Sequence, residues 1–219
     1  MTANVTAGGV VLCGGMSRRM GRPKAMLPFG DEPMLARVVR RLGEAVGQIV
    51  VVAAAGQPLP PLSPAVFGGV SVVYDRREGL GPLEGLAVGL RAMVDRAELV
   101  FVTACDAPLL LPALVTRVIE LSAGYDVAVP HIDGFDQPLA AVYRTSVLSH
   151  VEALLASDCR RPALLFDRVR TRRIAAAELL DVDPTLQSLA SANSPAEYRA
   201  LLQRAGLCGK DTDATPPGP

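Results

Sequence analysis

The sequence predicts an α/β fold: a three-layer arrangement in which a mostly parallel, Rossmann-like sheet carries helices on both faces. Three observations predict it. Short apolar runs alternate with longer amphipathic stretches along most of the chain, the pattern of strand-helix-strand units. The short runs are continuous in Val, Ile and Leu, as strands buried on both faces require. A glycine-rich, basic loop follows the first of them, at the strand end where open parallel sheets bind their ligands.

The elements follow in chain order. Val10-Val11-Leu12 reads as a buried strand. Residues 33–46 have helical spacing, with Leu35, Val38, Val39 and Leu42 on one face and Arg37, Arg40 and Arg41 off it. Residues 49–53 and 70–74 read as the second and third strands. Between them Gln57 to Pro64 holds too many prolines for regular structure and reads as a loop. Residues 83–94 read as a helix, 99–103 as the fourth strand, and 112–122 as a helix opened by proline, which the first turn tolerates. Residues 126–130 and 139–143 read as further strands. From Ser146 on, the chain reads as helical: residues 146–156, 162–166 and 194–205. The last helix carries its own start signal, with Ser194 as cap, Pro195 at the first position and Glu197 three residues after the cap.

Length and composition bound the rest. The 219 residues suit one α/β domain, expected over 1–208, followed by a disordered Gly/Pro/Asp/Thr-rich tail over 209–219. Basic and acidic residues balance at 22 each, so the global positive field that nucleic acid demands is missing and any affinity for phosphate is local. Cys13, Cys105, Cys159 and Cys208 form no C-x-x-C pair, and His131 and His150 stand at no zinc-ligand spacing from them. Reduced thiols in a cytoplasmic protein are the expectation, with Cys13 and Cys105 as small core residues. No segment has the form of a signal peptide, and none approaches the ~20 apolar residues of a membrane span.

The loop after the first strand reads Leu12-Cys13-Gly14-Gly15-Met16-Ser17-Arg18-Arg19-Met20-Gly21-Arg22-Pro23-Lys24. It is neither a Walker A loop nor a G-x-G-x-x-G fingerprint. Gly14 and Gly15 nevertheless let backbone amides approach a ligand. Arg18, Arg19, Arg22 and Lys24 supply charge-assisted donors suited to a triphosphate. Asp106 follows the fourth apolar strand and faces the same edge. It is placed to bind Mg2+, which takes one or two carboxylates plus substrate phosphates, and equally placed to cap a following helix. Asp75 ends the third strand ahead of Gly81-Pro82-Leu83-Glu84-Gly85; it could bind base, sugar or metal, or belong to a plain turn. Glu84 suits a helix start.

These segments together resemble the molybdenum cofactor guanylyltransferase (MobA-like) family of nucleotidyltransferases. Leu12 to Gly30 is similar to that family's L-x-G-G-x-S-x-R-M-G-x-x-K-x-x-L-x-x-G motif, at Leu12, Gly14, Gly15, Ser17, Arg19, Met20, Gly21, Lys24, Leu27 and Gly30. Gly81-Pro82-Leu83-x-Gly85 resembles its G-P-L-x-G, Cys105-Asp106-x-Pro108 its C-D-x-P, and Gln137 to Tyr143 its later strand. Asp183-Pro184, Ser188-Leu189 and Asn193 to Tyr198 resemble its closing region. The resemblance spans residues 10 to 200 and implies a nucleotide-diphospho-sugar transferase-like fold. It implies transfer of GMP from GTP to the phosphate of molybdopterin, with Mg2+ as cofactor. Leu12, Cys13, Gly14, Gly15, Lys24, Asp75, Gly81, Pro82 and Asp106 would bind GTP, and Asp106 would also bind the metal. Arg19, Lys24 and Asp106 would be catalytic. Gly14 stands where cytidylyl relatives have alanine, and a methyl there would crowd a purine. Arg160, Arg161 and Asn193 are candidates for the acceptor; the two arginines read more readily as an exposed helix-end pair. Molybdoenzyme maturation proteins are the expected partners, and nucleic acid and membrane are not.

Three positions depart from the pattern. Pro23 stands where aspartate often precedes the lysine. Ala53-Ala54-Ala55 replaces a nucleotide-contacting asparagine, and Ser191 replaces the first asparagine of N-x-N. Three other readings stay open: a related transferase using CTP or another phosphate acceptor, a non-catalytic nucleotide-binding module, and a carrier that hands cofactor to an apo-enzyme.

Overall fold

The computed structural model describes residues 7–14, 23–62, 69–75 and 81–207. Its strands are β1 (Ala7–Leu12), β2 (Pro28–Phe29), β3 (Glu32–Pro33), β4 (Ile49–Ala54), β5 (Val70–Asp75), β6 (Leu99–Ala104), β7 (Val127–Ile132), β8 (Phe135–Asp136), β9 (Ala140–Arg144) and β10 (Thr171–Ala175). Its α-helices are α1 (Met34–Gly43), α2 (Pro82–Met93), α3 (Pro112–Leu121), α4 (Leu148–Ala156) and α5 (Pro195–Arg204). Among the described residues no helix is long and apolar enough to cross a membrane.

The main sheet runs β10-β7-β9-β6-β1-β4-β5, with β8 folded back onto β7. β1 pairs in parallel with β4 and β6, β4 with β5, and β7 with β10. Only β9 runs against its neighbours on that path, pairing antiparallel with both β6 and β7. The carboxyl ends of β1, β4, β5 and β6 therefore share one edge. The register makes this concrete: Leu12 lies beside Val52 and Ala104, and Ala54 beside Asp75.

Alternation along each strand feeds two separate cores. Val11, Val51 and Phe101 point to the face covered by α1 and α3 through Leu35, Val38, Leu42, Leu114 and Val118. Val10, Leu12, Val50, Val52, Val100 and Val102 point to the face covered by α2 and α4 through Leu86, Leu90, Met93, Val151 and Leu154. Double-sided burial is why these strands read as continuous apolar runs. Gly89 lets α2 lie against the sheet, since a Cβ there would stand 2.6 Å from Val10 Cγ1.

The strands and helices expected up to Tyr143 are all found, within one to three residues of their expected ends. The carboxyl-terminal third differs from expectation. β10 was hidden because its residues are Thr-Arg-Arg-Ile-Ala and only Ile174 is buried, which gives no apolar run. Residues 162–165 form a 3-10 turn in place of a helix, and a 3-10 turn over 145–147 precedes α4. The β2–β3 and β7–β8 pairings involve two residues a side, below the reach of any periodicity. The expected tail over 209–219, like Cys208, lies outside the described residues.

Candidate active site

The shared carboxyl edge carries the residues with chemistry. β1 ends at Leu12, whose carbonyl accepts from the Cys105 N–H at 3.0 Å, while the Cys13 N–H reaches Val52 O at 2.7 Å. The extension of β1 is thus stitched to both neighbours. Cys13 and Cys105 are buried beneath it, as small core residues. A hydrogen bond with Cys13, followed by burial, pushes the Cys105 thiol well above its ordinary value, so it stays protonated.

Gly14 is exposed, and among the described residues a Cβ built on it would meet only the Ala54 N, at 3.9 Å. Its φ is not positive. Neither packing nor backbone conformation within the described protein therefore demands glycine at this place. Gly15, Arg18, Arg19 and Arg22 lie outside the described residues, so Gly15 and Arg19 keep only their sequence reading.

Lys24 opens a short 3-10 turn at the far end of the same loop. Its Nζ lies 2.5 Å from Asp106 Oδ2 and donates to Asn193 Oδ1 at 2.9 Å. Residues 82 and 169 positions away thus meet on one ammonium. The pair is largely sheltered, with side-chain exposures of 18% for Lys24 and 11% for Asp106. The helix-cap reading of Asp106 does not hold: α3 begins at Pro112 and its cap position is Leu111.

The Asp106 loop is held from two sides. From α1, Arg37 Nε donates to Pro108 O at 2.9 Å and Arg41 Nε to Leu110 O at 3.2 Å. Arg37 also lies over the Phe29 ring, 5.0 Å from its centroid. These are the arginines that sit off the apolar face of the helix. From the other side comes a stretch between Leu179 and Ala192 that has no regular structure beyond a 3-10 turn. The Ala192 N–H donates to Asp106 O at 2.9 Å, and Leu111 N–H donates to Ser188 Oγ at 2.9 Å. Asp183 is fully buried and holds that stretch in shape, accepting from Gln187 N–H at 3.0 Å and Ser188 N–H at 2.9 Å.

Asn193 is presented by the start of α5. Ser194 caps the helix, accepting from the Glu197 N–H, and the Glu197 carboxylate returns to accept from Asn193 N–H at 2.9 Å. Ser191 keeps a role without being asparagine: its hydroxyl accepts from Asn193 Nδ2 at 2.7 Å and turns Oδ1 toward Lys24. Tyr198 packs edge-on against Phe29 and donates to Pro28 O, docking α5 onto the β2–β3 hairpin.

On the opposite flank Asp75 ends β5, and Gly81 begins α2 with φ 77°, a value that favours glycine. Pro82 is the first helical residue, and Gly85 packs close to Leu12, since a Cβ there would lie 3.3 Å from Leu12 Cδ2. Glu84 stands in the first turn, where its charge suits the helix start, and is buried there. Arg160 lies beside this turn, its carbonyl 3.8 Å from the place of a Gly81 Cβ, and its guanidinium meets Asp158 at 3.0 Å. Arg161 is exposed at the start of the following 3-10 turn. The structure therefore brings Lys24, Asp106 and Asn193 into contact, and sets Arg160 against the Gly81 turn.

One residue of the site was missed. No amide side chain stands at 53–55, but Gln57 reaches back to that place. Its Nε2 donates to Cys13 O at 2.9 Å and its Oε1 accepts from Ala54 N–H at 3.1 Å. Only its position as the first residue of the proline-rich loop distinguished it.

Comparison with known proteins places these features in context. Residues 9–172 match the model of the MobA-like NTP transferase domain. A protein of Mycobacterium ulcerans (strain Agy99), named probable molybdenum cofactor guanylyltransferase, is 40% identical over 202 residues, covering 89% of this chain and 94% of the relative. The crystal structure of molybdopterin-guanine dinucleotide biosynthesis protein A from Archaeoglobus fulgidus superposes with a TM-score of 0.76 at 22% identity, over 91% of this chain and 98% of that one. A Mycobacterium tuberculosis H37Rv protein solved in complex with manganese superposes with a TM-score of 0.59 at 20% identity, over 90% of this chain and 98% of the other.

Proposed function

The chain belongs to the MobA-like NTP transferase family, and from that premise we propose that this nucleotidyltransferase moves GMP from GTP onto the phosphate of molybdopterin, releasing pyrophosphate. The observation that carries the proposal is the Lys24–Asp106 contact at the carboxyl edge of the sheet, joined there by Asn193. A cation and a carboxylate kept together at the sheet edge where Gly14 follows β1 make a pole for a metal-bound triphosphate.

The acceptor is itself a phosphate, ionised at neutral pH, so the reaction needs placement and charge neutralisation more than a strong base. An oxygen of the acceptor phosphate bonds to the α-phosphorus of GTP as the bond to the bridging oxygen breaks. Pyrophosphate leaves with that electron pair. Lys24 offsets charge on the α-phosphate, and Arg19 with the loop amides holds the leaving group. Asn193 holds Lys24 from the closing segment. Arg160, whose backbone lies beside Gly81, and its neighbour Arg161 are the acceptor cations of this reading.

Among the described residues no cluster of three or more His, Cys, Asp or Glu side chains forms a protein-only metal cage. That fits Mg2+, which takes one or two carboxylates and leaves its remaining places to phosphate oxygens and water. Asp106 would hold it, and when bound it would neutralise charge building on the triphosphate. The manganese complex of the structural neighbour supports a divalent ion here. Molybdoenzyme maturation proteins, in the cytoplasm, are the partners this activity would serve.

Comparison of GTP with CTP, each with Mg2+, in a thermal-shift assay tests the base. GTP is expected to raise the melting temperature and CTP to leave it nearly unchanged; selective stabilisation by CTP rejects the guanylyl reading.

A further inference from the structure

We propose that Gln57 is a positioning residue of the nucleotide cradle, fixing the peptide between Cys13 and Gly14 so that the Gly14 N–H faces the bound nucleotide. The inference rests on the reading of this edge as a nucleoside triphosphate site, and it deepens that reading.

The geometry follows from one side chain. The Gln57 carboxamide bridges two loops that sequence holds 44 residues apart, donating to Cys13 O at 2.9 Å while accepting from Ala54 N–H at 3.1 Å. Both of its polar ends are engaged, and its own N–H donates to Ala54 O at 3.1 Å, so the loop after β4 is closed around it. The carboxamide therefore sets the direction of the Cys13 carbonyl. No described peptide bond is cis, and in a trans peptide the N–H points opposite to the carbonyl. With the Cys13 carbonyl turned toward β4 and Gln57, the Gly14 N–H is turned toward β6.

That is the side on which Leu12 O meets Cys105 N–H and the Asp106 loop begins. Gly14 is exposed there, with no Cβ to shield its amide. A backbone N–H turned to the side where the Asp106 loop begins suits an oxygen acceptor of the nucleotide. Without the carboxamide the Cys13–Gly14 peptide could rotate, since the glycine restrains it little. The donor would then have to be oriented on each binding event, which weakens the ground-state complex without touching the reacting atoms.

The test compares wild-type protein with Gln57→Met and Gln57→Glu. Met keeps the length and removes all three carboxamide hydrogen bonds, the 3.4 Å one from Nε2 to Cys13 Sγ included; Glu keeps an acceptor for Ala54 N–H and loses the donor to Cys13. Wild type is titrated with GTP, ATP, CTP and UTP in Mg2+, and the tightest binder is carried forward. Both variants are expected to bind that nucleotide about tenfold more weakly. In turnover assays its KM is expected to rise by about the same factor, with kcat within threefold and the KM of the acceptor unchanged. If GTP is not the tightest binder, the guanylyl reading fails while the role of Gln57 is still tested on the nucleotide that is. Nucleotide affinity within twofold of wild type in both variants would overturn the inference. So would a loss of kcat and acceptor affinity in step with nucleotide affinity, which marks a general loosening of the fold. Thermal melting separates the cases: if Met proves unstable, the Glu variant decides.

Discussion

Two regions meet on the Lys24 ammonium, and they are built on different principles. The sheet edge formed by β1, β4, β5 and β6 is positioned by apolar register: strands buried on both faces fix where Leu12, Asp75 and Asp106 end up. The closing segment from Leu179 to Asn193 has almost no regular structure. It is positioned by polar contacts in series, from Asp183 to Ser188 to Leu111, and from Ala192 to Asp106. The first device tolerates loss of any one contact, since each is a small part of a shared core. The second concentrates its stability in single buried groups, because an orphaned buried donor costs its full desolvation.

The largest expected effect lies where the regions join. Lys24→Ala is expected to lower turnover by about 10²–10³, as loss of one charge-stabilising donor does. Its stability change should be smaller than that of Asp183→Ala. Near-normal turnover in a steady-state assay would remove Lys24 from the mechanism.

Asp183→Ala comes next and isolates the polar device. It leaves the Gln187 and Ser188 N–H groups without their buried acceptor, an expected loss of about 2–4 kcal/mol in urea unfolding. Turnover should fall with it, since Asn193 is held through the same stretch. A loss under about 0.5 kcal/mol would mean that the closing segment is held by something else.

A pair of glycine substitutions sharpens the contrast from the other side. Gly89→Ala forces a methyl into Val10 and should cost about 1–3 kcal/mol without changing nucleotide affinity per folded molecule. Gly14→Ala adds a methyl that meets no described atom closer than 3.9 Å, so stability should stay within about 0.5 kcal/mol. Its GTP affinity should drop about tenfold, equivalent to ~1.4 kcal/mol. Unchanged GTP affinity would show that Gly14 does not line the nucleotide.

The smallest effect expected is that of Ser194→Ala, which removes the cap of α5 and should cost about 1 kcal/mol in the same unfolding assay. The cost should appear with little change in nucleotide binding, because Asn193 keeps its own contacts with Glu197 and Ser191.

The same difference explains what the sequence made legible. Apolar register leaves a trace: Val10 to Leu12, residues 49–53 and residues 99–103 are continuous hydrophobic runs, and Asp106 stood out by following one of them. The start of α5 was also readable, because a capping box is local and has fixed spacing. Polar contacts in series leave no such trace. Gln57 reaching Cys13, Ser188 reaching Leu111 and Lys24 reaching Asn193 join residues with no period between them. β10 stayed hidden because an edge strand with one buried residue has no pattern to show. The motif resemblance marked Lys24, Asp106 and Asn193 as relevant, but their meeting on one ammonium belongs to the fold.

The central claim is that these two regions close around a nucleotide to transfer its α-phosphoryl group. The most direct measurement supplies GTP labelled at the α-phosphorus, with Mg2+ and molybdopterin, and follows both the label and pyrophosphate. Label is expected in a molybdopterin dinucleotide in one-to-one ratio with pyrophosphate released, and both are expected to be lost in Lys24→Ala. Tight GTP binding with neither label transfer nor pyrophosphate would contradict it, and would make the protein a nucleotide-binding module.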